Sequence, residues 1–223
     1  GLGDVYKRQG ECISMITPDG ERTLVTHLGI TQNYSPSEIK AAALTRSKYL
    51  YIEGYLVSSE TGFEAALAAQ AIAKSAGVPI ALTLSDIGMV QGFRGQFEKL
   101  FDAGVDLIFA NEDEAMAWTN TATRDEAASR LASSSIAFAI TLGGEGALVS
   151  EGQREPKLIP ARNVSPIDTT GAGDTFAGGV LHYLTSGCDL AEATARSHPL
   201  AAAVVSQYGA RLSHDALQTL SAK

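Results

Sequence analysis

Positive charge, cysteine and long apolar runs are all scarce in this chain of 223 residues, and each scarcity excludes a class of protein. Seventeen Lys and Arg residues stand against 25 Asp and Glu residues, which gives a formal net charge of −8. A protein that binds nucleic acid needs clustered cations against the phosphates, so nucleic acid is not an expected partner. The two cysteines, Cys12 and Cys188, are too few for a disulfide framework and favour a reducing, cytoplasmic setting.

Signals for membranes and for a hydrolase are also missing. No apolar run reaches the roughly 18 residues that a membrane helix needs, so we expect no membrane partner. The chain contains no Gly-x-Ser-x-Gly elbow. It starts with Gly1, and its first residues have neither periodicity nor a helix cap. We therefore expect residues 1–11 to be a non-native or disordered start, and residues 12–223 to form a single domain.

Short apolar strands alternate with helix-start signals along most of the chain. Serine or threonine followed three residues later by glutamate predicts helix starts at Ser35, Thr61 and Thr123. Strands that are apolar on both faces are typical of a buried parallel sheet. We predict such strands at Tyr49–Ile52, Pro79–Leu84, Val105–Ala110 and Ile136–Leu142. The alternation predicts an α/β fold, with a mainly parallel sheet between two helical layers.

The segment before this alternation has a different pattern. Residues 12–17 and 23–28 are β-prone and flank Pro18-Asp19-Gly20, a turn signal that predicts a β-hairpin. Near the other end of the chain, Pro199 follows Ser197 and His198 inside a helical pattern. Proline removes a helical hydrogen bond, so we expect a kink or break there, and we expect His198 to be structural.

A glycine-rich run, Asp168-Thr-Thr-Gly-Ala-Gly-Asp174, opens a helical pattern. The N–H groups of Gly171, Ala172 and Gly173 would lie free at the start of that helix, where they would bind an anion. The run is neither a Walker loop nor a dinucleotide fingerprint. Asp174 admits two interpretations: a carboxylate that stabilises the helix dipole, or the base for a hydroxyl that attacks a phosphoryl group held by the amides.

The run from Asp168 to Leu181, DTTGAGDTFAGGVL, resembles the second signature of the ribokinase-like (PfkB) sugar and nucleoside kinases. Asn111-Glu-Asp-Glu114 is similar to the Asn-x-x-Glu motif of that family, and Thr141-Leu-Gly-Gly-Glu-Gly146 is similar to its nucleotide motif. The strand around Glu53 looks closest to bacterial sugar kinases often labelled adenosine kinase. The resemblance covers about residues 12–212 and implies a three-layer α/β/α fold, with residues 12–34 as a hairpin adjoining the lid.

The resemblance implies a role for each matching residue. Asp174 would be the catalytic base, and Gly171, Ala172 and Gly173 the anion hole. Glu114 would hold Mg²⁺ through water and Glu53 would contact the acceptor. Asn111, Thr141, Gly143 and Gly146 would approach ATP. Asp168, Thr170, Gly209 and Ser213 resemble a loop that binds a monovalent cation such as K⁺.

Simpler interpretations of the same residues stay open. Asn111 would also cap a helix that starts at Glu112. The Thr141–Gly146 glycines would also serve a tight turn between strands. Glu53 would also fit as a solvated loop carboxylate.

The implied activity is transfer of the γ-phosphate of ATP to a primary hydroxyl of a sugar or nucleoside, and a lid-mediated homodimer is compatible with the resemblance. The N-terminal acceptor-site motifs of the family have no match here, so we expect an N-terminally truncated member. Two alternatives remain: a nucleotide-binding remnant without transfer activity, and a vitamin kinase of the same superfamily.

Overall fold

An antiparallel β-hairpin precedes the main body of the protein. The computed structural model describes residues 10–17, 22–162 and 164–221. Strand β1 (Glu11–Ile16) pairs with β2 (Arg22–His27), from Glu11 opposite His27 to Ile16 opposite Arg22. The predicted hairpin is therefore present, and β1 starts inside the segment 1–11. Its turn, Pro18-Asp19-Gly20, and the residues before Gly10 lie outside the described residues.

A mixed sheet forms the centre of the fold. Its strands, among the described residues, are β3 (Leu50–Glu53), β4 (Ile80–Thr83), β5 (Leu107–Asn111), β6 (Ala137–Thr141), β7 (Gly146–Ser150) and β8 (Lys157–Pro160). They are hydrogen-bonded in chain order. Strands β3 to β6 run parallel, whereas β7 and β8 are antiparallel to their neighbours. The four predicted strands are confirmed, and they make up the parallel part of the sheet.

Helices cover both faces of this sheet. They are α1 (Ala41–Leu44), α2 (Glu60–Ala76), α3 (Ile87–Gly92), α4 (Arg94–Ala103), α5 (Glu112–Thr119), α6 (Arg124–Ala132), α7 (Ala172–Thr185), α8 (Leu190–Val205) and α9 (His214–Ser221). Leu82, Ile108 and Ile140 share one core with residues of α2 to α6. Their strand neighbours Ala81, Phe109 and Ala139 share a second core with residues of α7 and α8. This alternation confirms the predicted three-layer α/β/α fold.

The α-helix predicted to start at Ser35 is replaced by a short turn. Ser35 and Glu38 form the expected capping box, yet only a 3-10 turn, Pro36–Glu38, follows before Ile39 becomes extended. The hydroxyls of Ser35 and Ser37 both donate to Glu38, and such local bonds compete with helix propagation. The helix predicted at Thr61 instead starts two residues earlier, because the Ser59 side chain accepts the Gly62 N–H.

We expected a kink or a break at Pro199, and the break does not occur. Helix α8 continues through the proline from Leu190 to Val205. His198 lies 8% exposed, with Nε2 3.1 Å from the Ile159 carbonyl oxygen and its ring stacked on Phe176 at 5.6 Å. Packing of α8 against α7 and β8 thus offsets the missing helical hydrogen bond. None of the described helices is long and apolar enough to span a bilayer.

Candidate active site

Three of the segments singled out in the sequence end at the same edge of the sheet. Because β3 to β6 are parallel, their carboxyl ends lie side by side: Glu53 pairs with Thr83, and Asn111 pairs with Thr141. Ligands of open α/β sheets bind beyond this edge. The register therefore brings Glu53, Asn111 and Thr141 to the edge where the family resemblance expects acceptor and nucleotide.

Gly171 shapes the start of helix α7. It has φ 78°, a left-handed conformation, and a Cβ there would lie 2.3 Å from the carbonyl oxygen of Ala210. Two independent constraints therefore require glycine at this position. The first internal bond of the helix runs from the Thr175 N–H to the Gly171 carbonyl at 2.9 Å. The amides of Gly173 and Asp174 precede that bond and have no carbonyl partner within the helix.

The amide of Ala172 differs from the expectation. Its N–H, expected to be free, donates to the Thr169 carbonyl at 3.2 Å and closes the turn that leads into α7. Of the three amides predicted to form the anion hole, that of Ala172 is therefore engaged, and a role for those of Gly171 and Gly173 stays a prediction. Gly173 supplies an open surface there, because a Cβ on it would meet nothing within 4 Å.

Asp174 lies close enough to Glu53 for its charge to affect that carboxyl group. Asp174 is the acidic residue in the first turn of α7, and its neighbour Phe176, 3% exposed, packs edge-on against Phe109 at 6.3 Å. Burial raises the pKa of Glu53, and the Asp174 carboxylate raises it further. The pKa of Tyr51 is raised by burial first and then by Asp174 and Glu53. The charge of Asp174 on α7 thus reaches the groups of β3 at this edge.

Asn111 and Glu114 bind each other. The Asn111 side chain accepts the Glu114 N–H at 2.8 Å, and Glu114 accepts the Asn111 backbone N–H at 3.1 Å and its Nδ2 at 2.8 Å. This is a capping box at the start of α5, so Asn111 does cap the helix that begins at Glu112. Glu114 is 6% exposed, and its charge contributes to the raised pKa of Tyr51.

The side chains of this site would hold a Mg²⁺ ion only together with water and substrate phosphates. Within the described ranges no three His, Cys, Asp or Glu side chains come together as a metal cage. Mg²⁺ commonly keeps several waters and binds one or two carboxylates together with substrate phosphates. Glu114, with both oxygens engaged by Asn111, suits contact through water.

The glycines of the Thr141–Gly146 segment have different surroundings. Gly143 has φ 56° and open space around it, whereas a Cβ on Gly146 would lie 2.1 Å from the Ile159 carbonyl oxygen. Gly146 therefore serves the close packing of β7 against β8. The segment is a 3-10 turn joining antiparallel strands, as the simpler interpretation of the motif expected. The Thr141 hydroxyl lies 3.4 Å from the Ala110 carbonyl oxygen, beside the end of β5.

An ion pair that the sequence analysis missed connects two of the motifs. Arg124 donates to both carboxylate oxygens of Glu145, at 2.9 and 2.8 Å, and lies 3.6 Å from Glu112. The pKa of Glu145 is lowered mainly by this hydrogen bonding. Arg124 is the first residue of α6, where a cation opposes the helix dipole. That unfavourable position was the available sequence signal.

Asp168 connects the loop before α7 to the loop after α8. It is 3% exposed, and its oxygens accept the N–H groups of Thr170 and Gly209, each at 2.9 Å. The hydroxyl of Thr170 lies 3.5 Å from that of Ser14 in the hairpin. Ser213 instead accepts the Ala216 N–H at 3.2 Å, at the start of α9. The structure thus brings together Asp168, Thr170 and Gly209, and a monovalent cation at this loop stays a prediction.

Comparisons with known proteins support the family resemblance that the sequence motifs indicate. Residues 4–217 match the pfkB family carbohydrate kinase family. An adenosine kinase from Schizophyllum commune is 28% identical in an alignment that covers 99% of this chain and 71% of that protein.

Two solved structures are similar in fold. The structure of a probable sugar kinase from Rhizobium etli has a TM-score of 0.89 at 34% identity, over 96% of this chain and 64% of that one. The structure of adenosine kinase from Sinorhizobium meliloti has a TM-score of 0.88, with the same identity and coverage. The chain therefore spans slightly less than two thirds of these two proteins. On the family match, which includes nearly all of its residues, the chain belongs to the pfkB family of carbohydrate kinases.

Proposed function

We propose that the protein transfers the γ-phosphate of ATP to a primary hydroxyl of a sugar or nucleoside. The observation that carries this proposal is the position of Asp174. Its carboxylate stands in the first turn of α7, next to helix amides without internal partners, and its charge reaches Glu53 at the end of β3. A base, an anion-binding helix start and an acceptor-side carboxylate then share one edge of the sheet.

Each group at this edge has a separate role in the transfer. The acceptor hydroxyl oxygen bonds to the γ-phosphorus while the bond from that phosphorus to the ADP oxygen breaks, and Asp174 takes the hydroxyl proton. The amides of Gly173 and Asp174 stabilise the charge on the transferring group, since the positive end of the helix dipole points at it. Phosphoryl transfer depends mostly on such positioning and charge stabilisation. Glu53 orients the acceptor by accepting a hydrogen bond from one of its hydroxyls.

The nucleotide side is assigned to the neighbouring strand ends. We propose that Thr141 and Gly143 approach ATP, because the open space at Gly143 admits a ligand next to the backbone. Mg²⁺, when bound, would neutralise the phosphates, and Glu114 would hold it through water with Asn111 beside it. Gly146 supports this site indirectly, through its packing on β8. The protein would act on small molecules in the cytoplasm, and a homodimer formed through the hairpin remains a prediction.

Adenosine is the acceptor that we favour. The fungal relative and the Sinorhizobium structure are both named adenosine kinase, whereas the Rhizobium structure is named a probable sugar kinase. The alternatives are a nucleotide-binding protein without transfer activity and a vitamin kinase of the same superfamily.

A panel assay with the full-length protein separates these functions. Adenosine, ribose, fructose and pyridoxal are each incubated with Mg-ATP, and the phosphorylated product is identified by ³¹P NMR. We expect adenosine or one of the sugars to be phosphorylated at its primary hydroxyl. Product from pyridoxal alone would establish the vitamin kinase. Saturable Mg-ATP binding with no product from any acceptor would contradict the proposal.

A further inference from the structure

Ser85 has an unusual backbone conformation at the carboxyl edge of the sheet. It follows β4 with φ 67°, and within the described ranges it shares a positive φ with only two other non-glycine residues, Asn120 and Gln153. Asparagine tolerates this region because its side chain bonds locally, but serine has no such general tolerance. A strained residue persists only where its surroundings hold it, and such residues concentrate at functional sites.

The contacts of Ser85 show what holds it. Its hydroxyl oxygen accepts a hydrogen bond from the backbone N–H of Gly54 at 2.8 Å. Its own N–H donates to the hydroxyl of Thr83 at 3.2 Å, and the hydroxyl of Tyr55 donates to its carbonyl at 3.4 Å. The positive φ therefore turns the side chain of Ser85 from the end of β4 onto the end of β3.

The residue that Ser85 contacts is itself tightly enclosed. A Cβ on Gly54 would lie 2.7 Å from the Thr83 carbonyl oxygen and 2.8 Å from Cζ of Phe97. The peptide that joins Glu53 to Gly54 is thus fixed by packing on one side and by the Ser85 hydroxyl on the other. Glu53 begins the following 3-10 turn, yet its side chain makes no capping bond there. Its direction is set by the backbone that Ser85 holds.

We propose that Ser85 is a positioning residue that aims the carboxylate of Glu53 at an acceptor hydroxyl. This inference rests on the proposed function, because it assigns Glu53 to the acceptor. It goes further in assigning a role to the strained serine, whose hydroxyl fixes the Glu53–Gly54 peptide across two strands. Loss of that hydroxyl should weaken acceptor binding while the nucleotide side, at the ends of β5 and β6, is unchanged.

The variant Ser85→Gly tests this role without adding strain, since glycine adopts positive φ freely. Its matched control is Gln153→Gly, which makes the same backbone change at φ 51° in the turn between β7 and β8, close to the amino end of β6. We expect Ser85→Gly to raise the KM for the acceptor about tenfold with kcat and the KM for ATP little changed, the pattern of lost uniform binding. Gln153→Gly should leave kcat, the KM for the acceptor and the KM for ATP unchanged.

Two further readouts separate positioning from general structure. In a Glu53→Ala background, Ser85→Gly should raise the acceptor KM no further, because both changes act through one carboxylate. Hydrogen exchange of the Gly54 amide, measured by NMR, should be faster in Ser85→Gly than in the wild-type protein, because the amide loses its acceptor.

The outcomes are distinct for the two proposals. An unchanged acceptor KM in Ser85→Gly, or an equal rise in Gln153→Gly, overturns the positioning role. If the wild-type protein phosphorylates no acceptor, the proposed function fails. The positioning role, which rests on that function, then fails with it. An unchanged exchange rate of the Gly54 amide in Ser85→Gly overturns the positioning role alone, even where the wild-type protein phosphorylates an acceptor.

Discussion

Glu53 and Asp174 belong to elements far apart in the chain, yet the Asp174 carboxylate adds to the effect of burial in raising the pKa of Glu53. Glu53 ends β3 and Asp174 lies in the first turn of α7, so the sheet and one helix layer are needed to bring them together. Two like charges that share a site disfavour each other's ionised forms. We expect such an arrangement where function requires both carboxylates, as the proposed base and acceptor ligand would.

The proposed role of Asp174 as the catalytic base gives the most direct prediction. Asp174→Asn should lower kcat by about 10²- to 10⁴-fold, because general base catalysis typically contributes that much. Binding of Mg-ATP, measured by calorimetry, should survive. The control is Asp125→Asn, which removes an exposed carboxylate from the first turn of α6 and so reproduces the loss of the dipole interaction. Equal losses of turnover in the two variants would assign Asp174 to helix stability alone.

Two glycines of one loop should respond differently to alanine. Gly171→Ala forces a left-handed alanine against the Ala210 carbonyl, and the strain alone should lower the free energy of unfolding by about 1–3 kcal/mol. A methyl group on Gly173 meets no atom within 4 Å, so Gly173→Ala should change stability by no more than about 1 kcal/mol. That methyl would nevertheless occupy the side where the phosphoryl group is expected.

Urea unfolding and turnover of the two glycine variants test this difference. Gly173→Ala should fold normally and lose most of its kcat. Full turnover in a folded Gly173→Ala would place the anion away from this helix start.

The sequence was sufficient where local pattern and burial agree. The strands at Ile80–Thr83 and Leu107–Asn111 are largely apolar on both faces, which is the pattern typical of buried parallel strands. The hairpin and the start of α7 also have unambiguous turn residues. At Ser35 and Pro199, by contrast, the outcome depends on competing side-chain bonds and on packing between helices. The bonds at Ser35 are local but compete with the helix, and the packing around Pro199 joins distant segments, so helix propensity alone could not decide either outcome.

Parts of the candidate site also depend on distant contacts. The pairing of Arg124 with Glu145 connects α6 to the turn after β6, and neither residue signals the other in the sequence. The positive φ of Ser85 accompanies a hydrogen bond from the amide of Gly54, which directly follows another strand. Motif spacing placed Asp174, Asn111 and Glu53 at the edge of the sheet, but the three-dimensional structure was needed to find what orients the side chains around them.

The Arg124–Glu145 pair predicts a role for charge next to the nucleotide loop. Arg124→Ala should raise the KM for ATP several-fold, because Gly143 and Thr141 lose the contact that ties their turn to α6. Arg124→Lys should have an intermediate effect, since lysine keeps the charge but cannot bind both oxygens at once. Arg154→Ala is the control, because Arg154 pairs with Glu151 at the other end of β7. Equal KM values for ATP in Arg124→Ala and the wild-type protein would refute the prediction.

The raised pKa of Glu53 predicts a dependence of stability on pH. A carboxyl group whose pKa is higher in the folded than in the unfolded protein binds more protons when folded, so its ionisation destabilises the fold as pH rises. The penalty is complete above the folded pKa and absent below its ordinary value of 4.5. Glu53→Gln should therefore raise the free energy of unfolding at pH 7, and the gain should shrink to nothing as the pH falls through this window.

Urea unfolding of Glu53→Gln at pH 7 and at pH 4 measures both ends of that window. Glu64→Gln, at an exposed position of α2, controls for the loss of one negative charge from a chain of net charge −8. The same Glu53→Gln variant should bind the acceptor more weakly, because an amide replaces a charged acceptor of hydrogen bonds. Higher stability together with weaker acceptor binding is the expected trade-off for a carboxylate kept for function. A pH-independent gain, or one matched by Glu64→Gln, would contradict a raised pKa of Glu53 in the folded protein.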